Sequence, residues 1–305
     1  MPADARVRAP SPAQPAESHR TVRGPVAARR RLRAALRRAR DRQSLTQDQV
    51  AEAMEWSLSK LIRIESGLVG ISTNDLRALL DYYHLAEPDE IARLVELARV
   101  GRAKPWWSDY RDVLSSPHFM TMLGLEADAR LLRVFNSSVL PGLMQTEAYA
   151  RGSLQSLVPG PTVEQLEVKV AVRLRRQAEL LDRQDPPDLL AVLDESVLRR
   201  MIADVDAMRA QLRHLCALAE RPNVTIEVVP FSAGVYDLAG PFTILAFPDG
   251  ADAEVVYLES ALNEDLIEDA EKIQPYHVAF DALRAKALSP RDSIVLIERV
   301  ASELR

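Results

Sequence analysis

Cysteine is almost absent from this sequence, and glycine and aromatic residues are scarce. A single Cys216 and five scattered histidines exclude a disulfide framework and the familiar zinc-ligand spacings. Eleven glycines leave little material for phosphate-binding loops, and no HExxH, GxSxG, Walker or dinucleotide motif occurs. We therefore expect no enzymatic activity, no cofactor and no bound metal.

Long apolar runs are also missing. No stretch of about 18 uncharged apolar residues occurs, and the N-terminus is rich in Ala, Pro and Arg. Membrane insertion and secretion are disfavoured, so the expected location is the cytoplasm, in association with the nucleoid. The length of 305 residues exceeds what one hydrophobic core usually organises, which predicts more than one domain.

The net charge of −5 conceals an asymmetry between the two parts of the chain. Residues 1–104 hold 19 basic against 13 acidic residues, whereas the remainder holds 20 against 31. Residues 1–45 alone carry 12 arginines and three acids. This basic N-terminus suits a polyanion, and the acidic remainder would repel one.

The first 45 residues divide into an arm and a helix. Residues 1–25 lack periodicity and predict a flexible basic arm, whose Arg20 and Arg23 could reach phosphate or the minor groove of DNA. From Ala27 to Asp41 the apolar residues recur at helical spacing among arginines, which predicts an amphipathic helix.

Four further short helices follow. Thr46, with Gln49 three residues later, matches a capping box. After a turn through Glu55, Ser57 is positioned to cap a third helix that contains apolar Leu61, Ile62 and Ile64, and Gly67 to end it. Two more helices are predicted, from Asn74 to Tyr83 and from Pro88 to Val100.

This succession resembles the helix-turn-helix domain of the Cro and phage-repressor regulators (XRE family). Thr46-Gln47, the small Ala51 and Ile64-Glu65-Ser66-Gly67 stand at matching positions. In that family the second helix of the pair enters the major groove and the first lies against phosphates. The resemblance places Gln47 at the DNA backbone, and it directs toward the groove Ser57, Leu58, Ser59, Lys60 and Arg63.

Within this group, Lys60 and Arg63 are the expected base or phosphate readers, because their donors match guanine and phosphate oxygens. The resemblance also implies a structural ion pair between Arg40 and Glu65. Two positions depart from the family: Leu58 stands where relatives often have a polar residue, and Glu55 stands where they usually have glycine. Either Glu55 adopts a positive φ, or the turn differs.

The rest of the chain predicts a mixed domain. Helices are expected from Trp106-Trp107 to about Leu181, then a parallel β-α-β unit with strands at 189–193 and 224–229. A hairpin through Asp249-Gly250 would join strands at 242–247 and 254–258, and helices would span 265–287 and 290–303. The predicted fold class is an all-α N-terminal domain of five helices plus a larger α/β (α+β) C-terminal domain with a small mixed sheet.

Several strings in this part look like the C-terminal domain of the WhiJ-like regulators of actinobacteria. They are Trp106-Trp107-Ser108, the segment Leu140 to Arg151 with its PGLMQTEAYAR string, the segment Asp194 to Arg199, and Val229-Pro230-Phe231. The resemblance implies regulation, with relatives described as antitoxin-like or developmental regulators, often encoded beside a very small partner protein. It does not supply a ligand.

Four residues mark a possible effector or partner region: Trp106, Trp107, Gln145 and Tyr149. Helix capping around Gln145 and packing of the two tryptophans are the simpler interpretations. Three arginines, Arg173, Arg175 and Arg176, could meet an anion, although a solvated helix face is the default.

Together these features predict three segments: the arm at 1–25, a helix-turn-helix domain at 26–101, and a regulatory or interaction domain at 105–300. The leading hypothesis is a homodimeric, sequence-specific transcriptional regulator that binds double-stranded DNA and senses a small partner protein or ligand. The alternative is an antitoxin-like protein that holds a small partner and binds DNA only to regulate its own gene. A ligand sensor needs a pocket, whereas a partner holder needs an exposed apolar patch or a free strand edge.

Overall fold

The computed structural model describes residues 24–66, 69–114, 116–157, 162–236, 240–248, 254–259 and 264–305. Within these ranges, five N-terminal helices precede an α/β part built on a six-stranded mixed sheet, so the predicted fold class is confirmed. None of the helices in these ranges is both long and apolar enough to cross a membrane. The predicted arm lies outside the described residues up to position 23.

The five N-terminal helices pack around one apolar core. They are α1 (Pro25–Arg42), α2 (Gln47–Ala53), α3 (Leu58–Glu65), α4 (Thr73–Tyr82) and α5 (Pro88–Val100). Leu36, Val50, Leu61 and Leu76 are buried in this core. Helix α1 begins at Pro25 rather than Ala27, because proline fits the first helical turn, and the assignment of Pro25 to the arm is wrong.

The remainder alternates helices and strands. Its elements are α6 (Pro117–Asp128), β1 (Leu131–Asn136), α7 (Glu147–Leu157), α8 (Val163–Leu181), β2 (Asp188–Asp194), α9 (Ser196–Arg199), α10 (Val205–Ala219), β3 (Val224–Val229), β4 (Phe242–Ala246), β5 (Val255–Glu259), β6 (Glu264–Ile267), α11 (Ala270–Lys286) and α12 (Pro290–Glu303). Three short 3₁₀ turns span Trp106–Tyr110, Gly142–Met144 and Phe231–Ala233.

The sheet has the order β3-β2-β1-β4-β5-β6. Strands β1, β2 and β3 are parallel, and the predicted β-α-β unit joins β2 to β3 through α9 and α10. Strands β4, β5 and β6 run antiparallel to their neighbours. Phe135 of β1 pairs with Val192 on one side and Phe242 on the other, so β1 is central. The predicted Asp249-Gly250 turn lies outside the described residues.

Helices cover both faces of the sheet. On one face, Leu132 and Val134 of β1 belong to a core that includes Met208 and Leu212 of α10 and Ile297 of α12. On the other face, the core is formed by Phe135, Val192, Ile244, Ile273, Phe280 and Leu283, the last three from α11. Successive side chains of β1 point to opposite faces of the sheet, so the strand contributes to both cores.

Two helical predictions are wrong. The segment from Trp106 to Leu181 contains β1, and the predicted helix from Asp265 begins only at Ala270, after β6. Both strands are short, and the hydrogen bonds that define them come from distant residues, because β1 pairs with β2 and β4 and β6 pairs with β5. Local periodicity does not reveal such partners.

Candidate nucleic-acid interface

Local side-chain caps set the start of both helices in the α2–α3 pair. The Gln49 amide donates to Thr46 Oγ1 at 3.2 Å, and the Thr46 amide donates to Gln49 Oε1 at 2.9 Å. At α3, the Lys60 amide donates to Ser57 Oγ at 3.2 Å. The predicted capping box and Ser57 cap are confirmed, and each satisfies amides that a helix start leaves without partners.

The turn between the helices depends on Glu55. Its φ of 54° lies in the left-handed region, so the chain takes the first of the two alternatives that the sequence left open. The Trp56 amide then donates to the Ala51 carbonyl at 2.8 Å, which closes the turn over the small, buried Ala51. Gly67, the predicted end of α3, lies outside the described residues.

A buried carboxylate joins α1, α2 and α3. Glu65 is only 1% exposed; its Oε1 accepts from Arg40 Nε at 2.8 Å and its Oε2 from Gln47 Nε2 at 2.7 Å. Burial opposes the positive charge of Arg40, but the hydrogen bond and charge of Glu65 outweigh it and raise the Arg40 pKa. The structure thus brings together the predicted Arg40–Glu65 pair, and it turns the Gln47 amide toward Glu65.

Much of α3 faces outward. Ser57, Leu58, Ser59 and Arg63 are exposed, and so is Ile62, which is 41% exposed. The buried face runs through Leu61, Ile64 and Glu65, so the neighbouring Ile62 turns about 100° away from Leu61.

Lys60 is the predicted reader that already has partners within the protein. Its Nζ lies 3.3 Å from Asp75 Oδ2 at the start of α4, and 4.0 Å from the centre of the Trp56 ring. The Lys60 side chain is still 41% exposed. Asp75 and Trp56 are therefore part of the surface around α3, although the sequence did not single them out.

The predicted effector region is occupied by internal contacts. Trp107 is buried against Leu114, Leu123 and Val172, and the Arg175 guanidinium lies 4.6 Å above the Trp106 ring. These contacts agree with the packing interpretation of the two tryptophans. A ligand role for them stays a prediction.

Gln145 and Tyr149 hold the loop that follows β1. Gln145 Nε2 donates to the Leu140 carbonyl at 2.7 Å, and the Leu140 amide donates to the Tyr149 hydroxyl at 3.1 Å. Arg173 Nη1 donates to Gln145 Oε1 at 2.7 Å and to Ser153 Oγ at 3.2 Å. Burial, followed by the nearby charge of Arg176, lowers the pKa of Arg173 to about 10.

The solvated-face interpretation of the α8 arginines is wrong for Arg173 and Arg176. Arg176 makes a two-pronged ion pair with Glu126 of α6, at 2.7 and 2.6 Å, and the two side chains are 11% and 2% exposed. Both arginines lie on the side of α8 that faces the protein, because their acceptors are there: Gln145 for Arg173 and Glu126 of α6 for Arg176. Such acceptors are far apart in sequence, so periodicity gave no signal for them.

Two family models match the chain. A helix-turn-helix domain model matches residues 31–94, which include α2 and α3. A model described as a domain of unknown function (DUF5753) matches residues 119–299, more than half of the chain. The chain belongs to this family. No curated protein and no solved structure matches it. The helix-turn-helix match supports a DNA-binding regulator.

Helix α1 of the helix-turn-helix domain also contacts the DUF5753 domain. Arg31 Nη2 lies 2.9 Å from Asp128 Oδ2 of α6, and Arg33 binds Glu268, which follows β6. The basic character of this helix, which favoured a polyanion in the sequence, thus serves partly to join the two domains. This role has no signature in the sequence, because Asp128 and Glu268 belong to no recognisable motif.

Proposed function

We propose that this chain is a sequence-specific transcriptional regulator of the Cro and phage-repressor type, in which α3 reads DNA. The observation that carries the proposal is the outward face of α3, where Leu58, Ser59, Ile62 and Arg63 are exposed in a helix fixed by Glu65. A major groove admits a helix, and base edges there present both hydrogen-bonding groups and thymine methyls.

Each exposed side chain suits a different part of DNA. Arg63 carries the fork of donors that binds guanine or phosphate, and Leu58 and Ile62 offer apolar surface for thymine methyls. We assign Lys60 to phosphate, because an ion pair at an exposed site such as Lys60–Asp75 contributes little and gives way easily. Gln47, whose amide is bonded to Glu65, supports the surface from behind.

We extend the proposal to assembly and regulation. One module buries little surface on DNA, so two copies that place α3 in successive major grooves give the specificity a regulator needs. The DUF5753 domain then serves as the part that receives a small partner protein or ligand. Support for this comes from its presence in one chain with a helix-turn-helix domain and from the resemblance to WhiJ-like regulators.

The test is binding of the purified full chain to the DNA upstream of its own gene, with random DNA of equal length for comparison, at two salt concentrations. We expect saturable binding that prefers the upstream fragment, and weaker, steeply salt-dependent binding to random DNA. Comparable binding to both fragments would contradict the proposal.

The role of α3 is tested by Arg63→Ala, with Arg99→Ala of α5 as the control that removes the same charge. We expect Arg63→Ala to weaken specific binding by about 1–3 kcal/mol, and Arg99→Ala to leave the preference for the upstream fragment unchanged. If Arg63→Ala weakens binding to the upstream fragment and to random DNA equally, Arg63 does not read bases.

A further inference from the structure

Arg33 of α1 makes contacts in two directions. Its Nη1 donates to the carbonyl oxygen of Ser66 at 3.1 Å, and its Nη2 donates to Glu268 Oε1 at 2.6 Å. Ser66 is the C-cap residue of α3, and Glu268 stands between β6 and α11 in the DUF5753 domain. One guanidinium therefore connects the end of the proposed recognition helix to the other domain.

Glu268 is the carboxylate on which two arginines of α1 converge. Besides Arg33, Arg30 approaches it with Nε 3.7 Å from Oε2, while the Arg30 guanidinium lies 4.6 Å from the centre of the Phe247 ring. The Glu268 side chain is 39% exposed, so it is open to solvent, unlike the Arg30 side chain at 10%. Neutralisation of Glu268 therefore weakens its ion pair with Arg33 without exposing buried apolar residues.

The two domains are also joined at places that do not touch α3. Arg31 and Asp128 form an ion pair at 2.9 Å, with side chains 12% and 4% exposed, and Val26 packs against Gly124 of α6. These contacts hold α1 on α6 independently of Glu268. Loss of the Glu268 carboxylate therefore leaves the domains docked and removes one link to α3.

The end of α3 is held by buried Ile64, by the bonds of Glu65 to Arg40 and Gln47, and by Arg33 at the carbonyl of Ser66. Helix ends leave carbonyls without partners and carry partial negative charge, so a cation bonded to Ser66 is favourable there. A groove lined by Leu32, Leu36, Ile64 and Ile71 lies beside the last turn, and Arg33 forms part of its wall. Arg63 belongs to this turn, so a displacement of the turn also moves Arg63.

We propose that Arg33 and Glu268 are positioning residues for the DNA-binding surface. Through Arg33, the DUF5753 domain holds the last turn of α3, and with it Arg63, in the arrangement that binds DNA. Any event that moves the segment after β6 then changes DNA affinity. This inference rests on the proposed function, and it adds the route by which one domain regulates the other.

The test is a double-mutant cycle in the full chain, with Arg33→Met, Glu268→Gln and the double variant, read out as the Kd for the upstream fragment. We expect Glu268→Gln to weaken specific binding about fivefold in the wild-type background, and to have little further effect once Arg33 is Met. Glu271→Gln is the matched control: it removes the same charge three residues away, at an exposed position. It should leave Kd nearly unchanged.

Folding is monitored by circular dichroism. If Arg33→Met does not fold, Arg33→Lys takes its place, because lysine keeps the charge but cannot bond Ser66 and both Glu268 oxygens as a planar fork does. Two results would overturn the proposal. One is an equal change in Kd for Glu268→Gln and Glu271→Gln; the other is that the changes in Kd from the substitutions at Arg33 and Glu268 simply add in the double variant. Wild-type protein without preference for the upstream fragment is a different result, since it contradicts the proposed function itself.

Discussion

Arg40 and Glu65 meet in a largely buried ion pair that ties α1 to the last residue of α3. Arg40 Nε lies 2.8 Å from Glu65 Oε1, and the two side chains are 17% and 1% exposed. Arg40 Nη1 also donates to the Leu45 carbonyl at 2.8 Å, which anchors the segment before α2. The orientation of α2 and α3, on which the proposed reading of DNA depends, thus rests on this pair.

Removal of the Glu65 carboxylate should therefore be costly. We expect Glu65→Ala to lower the free energy of unfolding by about 3 kcal/mol, because the largely buried Arg40 loses its buried partner and keeps only Asp41 and the Leu45 carbonyl. Denaturation in urea, followed by far-ultraviolet circular dichroism, measures the change. The control is Glu96→Ala, which breaks a solvent-exposed pair with Arg99 and should have no measurable effect. Similar losses in both variants would show that burial of the Glu65 pair contributes nothing.

The turn at Glu55 predicts a stabilising change. Because its φ is 54°, Glu55→Gly should raise the free energy of unfolding by about 1 kcal/mol through relief of the left-handed strain. Glu52→Gly is the control: Glu52 lies within α2, where glycine should cost about 1 kcal/mol. Thermal unfolding of the two variants should give shifts of opposite sign. A lower free energy of unfolding in Glu55→Gly would mean that the Glu55 side chain stabilises the fold by more than its left-handed backbone conformation destabilises it.

The N-terminal domain was largely predictable because its determinants are local. Thr46 and Gln49 are three residues apart, Ser57 caps the helix that it precedes, and the apolar stripes repeat at helical spacing. Exposed Ile62 sits one position off the buried stripe of α3, as the 3.6-residue helical period requires.

Distant partners decide what the sequence did not reveal. Strand β1 exists because β2 and β4 flank it, Arg173 is buried because Gln145 and Ser153 accept its hydrogen bonds, and Arg33 meets Glu268 across 235 positions of the chain. None of these relationships has a local signature. The Arg33–Glu268 link between the domains could not be predicted for the same reason, because nothing near either residue in the sequence indicates its partner.

Gln145 predicts a strong effect on stability. Its side chain bonds both the Leu140 carbonyl and the buried Arg173 guanidinium, so Gln145→Leu removes the partner of Leu140 and leaves Arg173 Nη1 with Ser153 alone. We expect a loss of about 3 kcal/mol in the free energy of unfolding. Gln155→Leu, an exposed position on α7, makes the same chemical change and should be nearly neutral. Unchanged stability with altered response to a partner or ligand would instead assign Gln145 to the effector region.

The contact between α1 and α6 leaves no room for a side chain at Gly124. A Cβ placed there would lie 2.2 Å from Cγ2 and 2.3 Å from Cβ of Val26. We expect Gly124→Ala to force α1 away from α6 and to lower the free energy of unfolding by about 1–3 kcal/mol, although alanine favours a helix by about 1 kcal/mol over glycine.

The rescue and the control decide whether the Gly124 effect is steric. Val26→Gly in the same chain should restore much of the lost stability, because it removes both clashing carbons. Gly70→Ala should change little, since the nearest atom to its Cβ, Arg102 Cγ, is 4.0 Å away. Hydrogen exchange should show faster exchange in α1 only for the single Gly124→Ala variant. If Val26→Gly fails to restore slow exchange, the close approach of these two residues is not what holds the domains together.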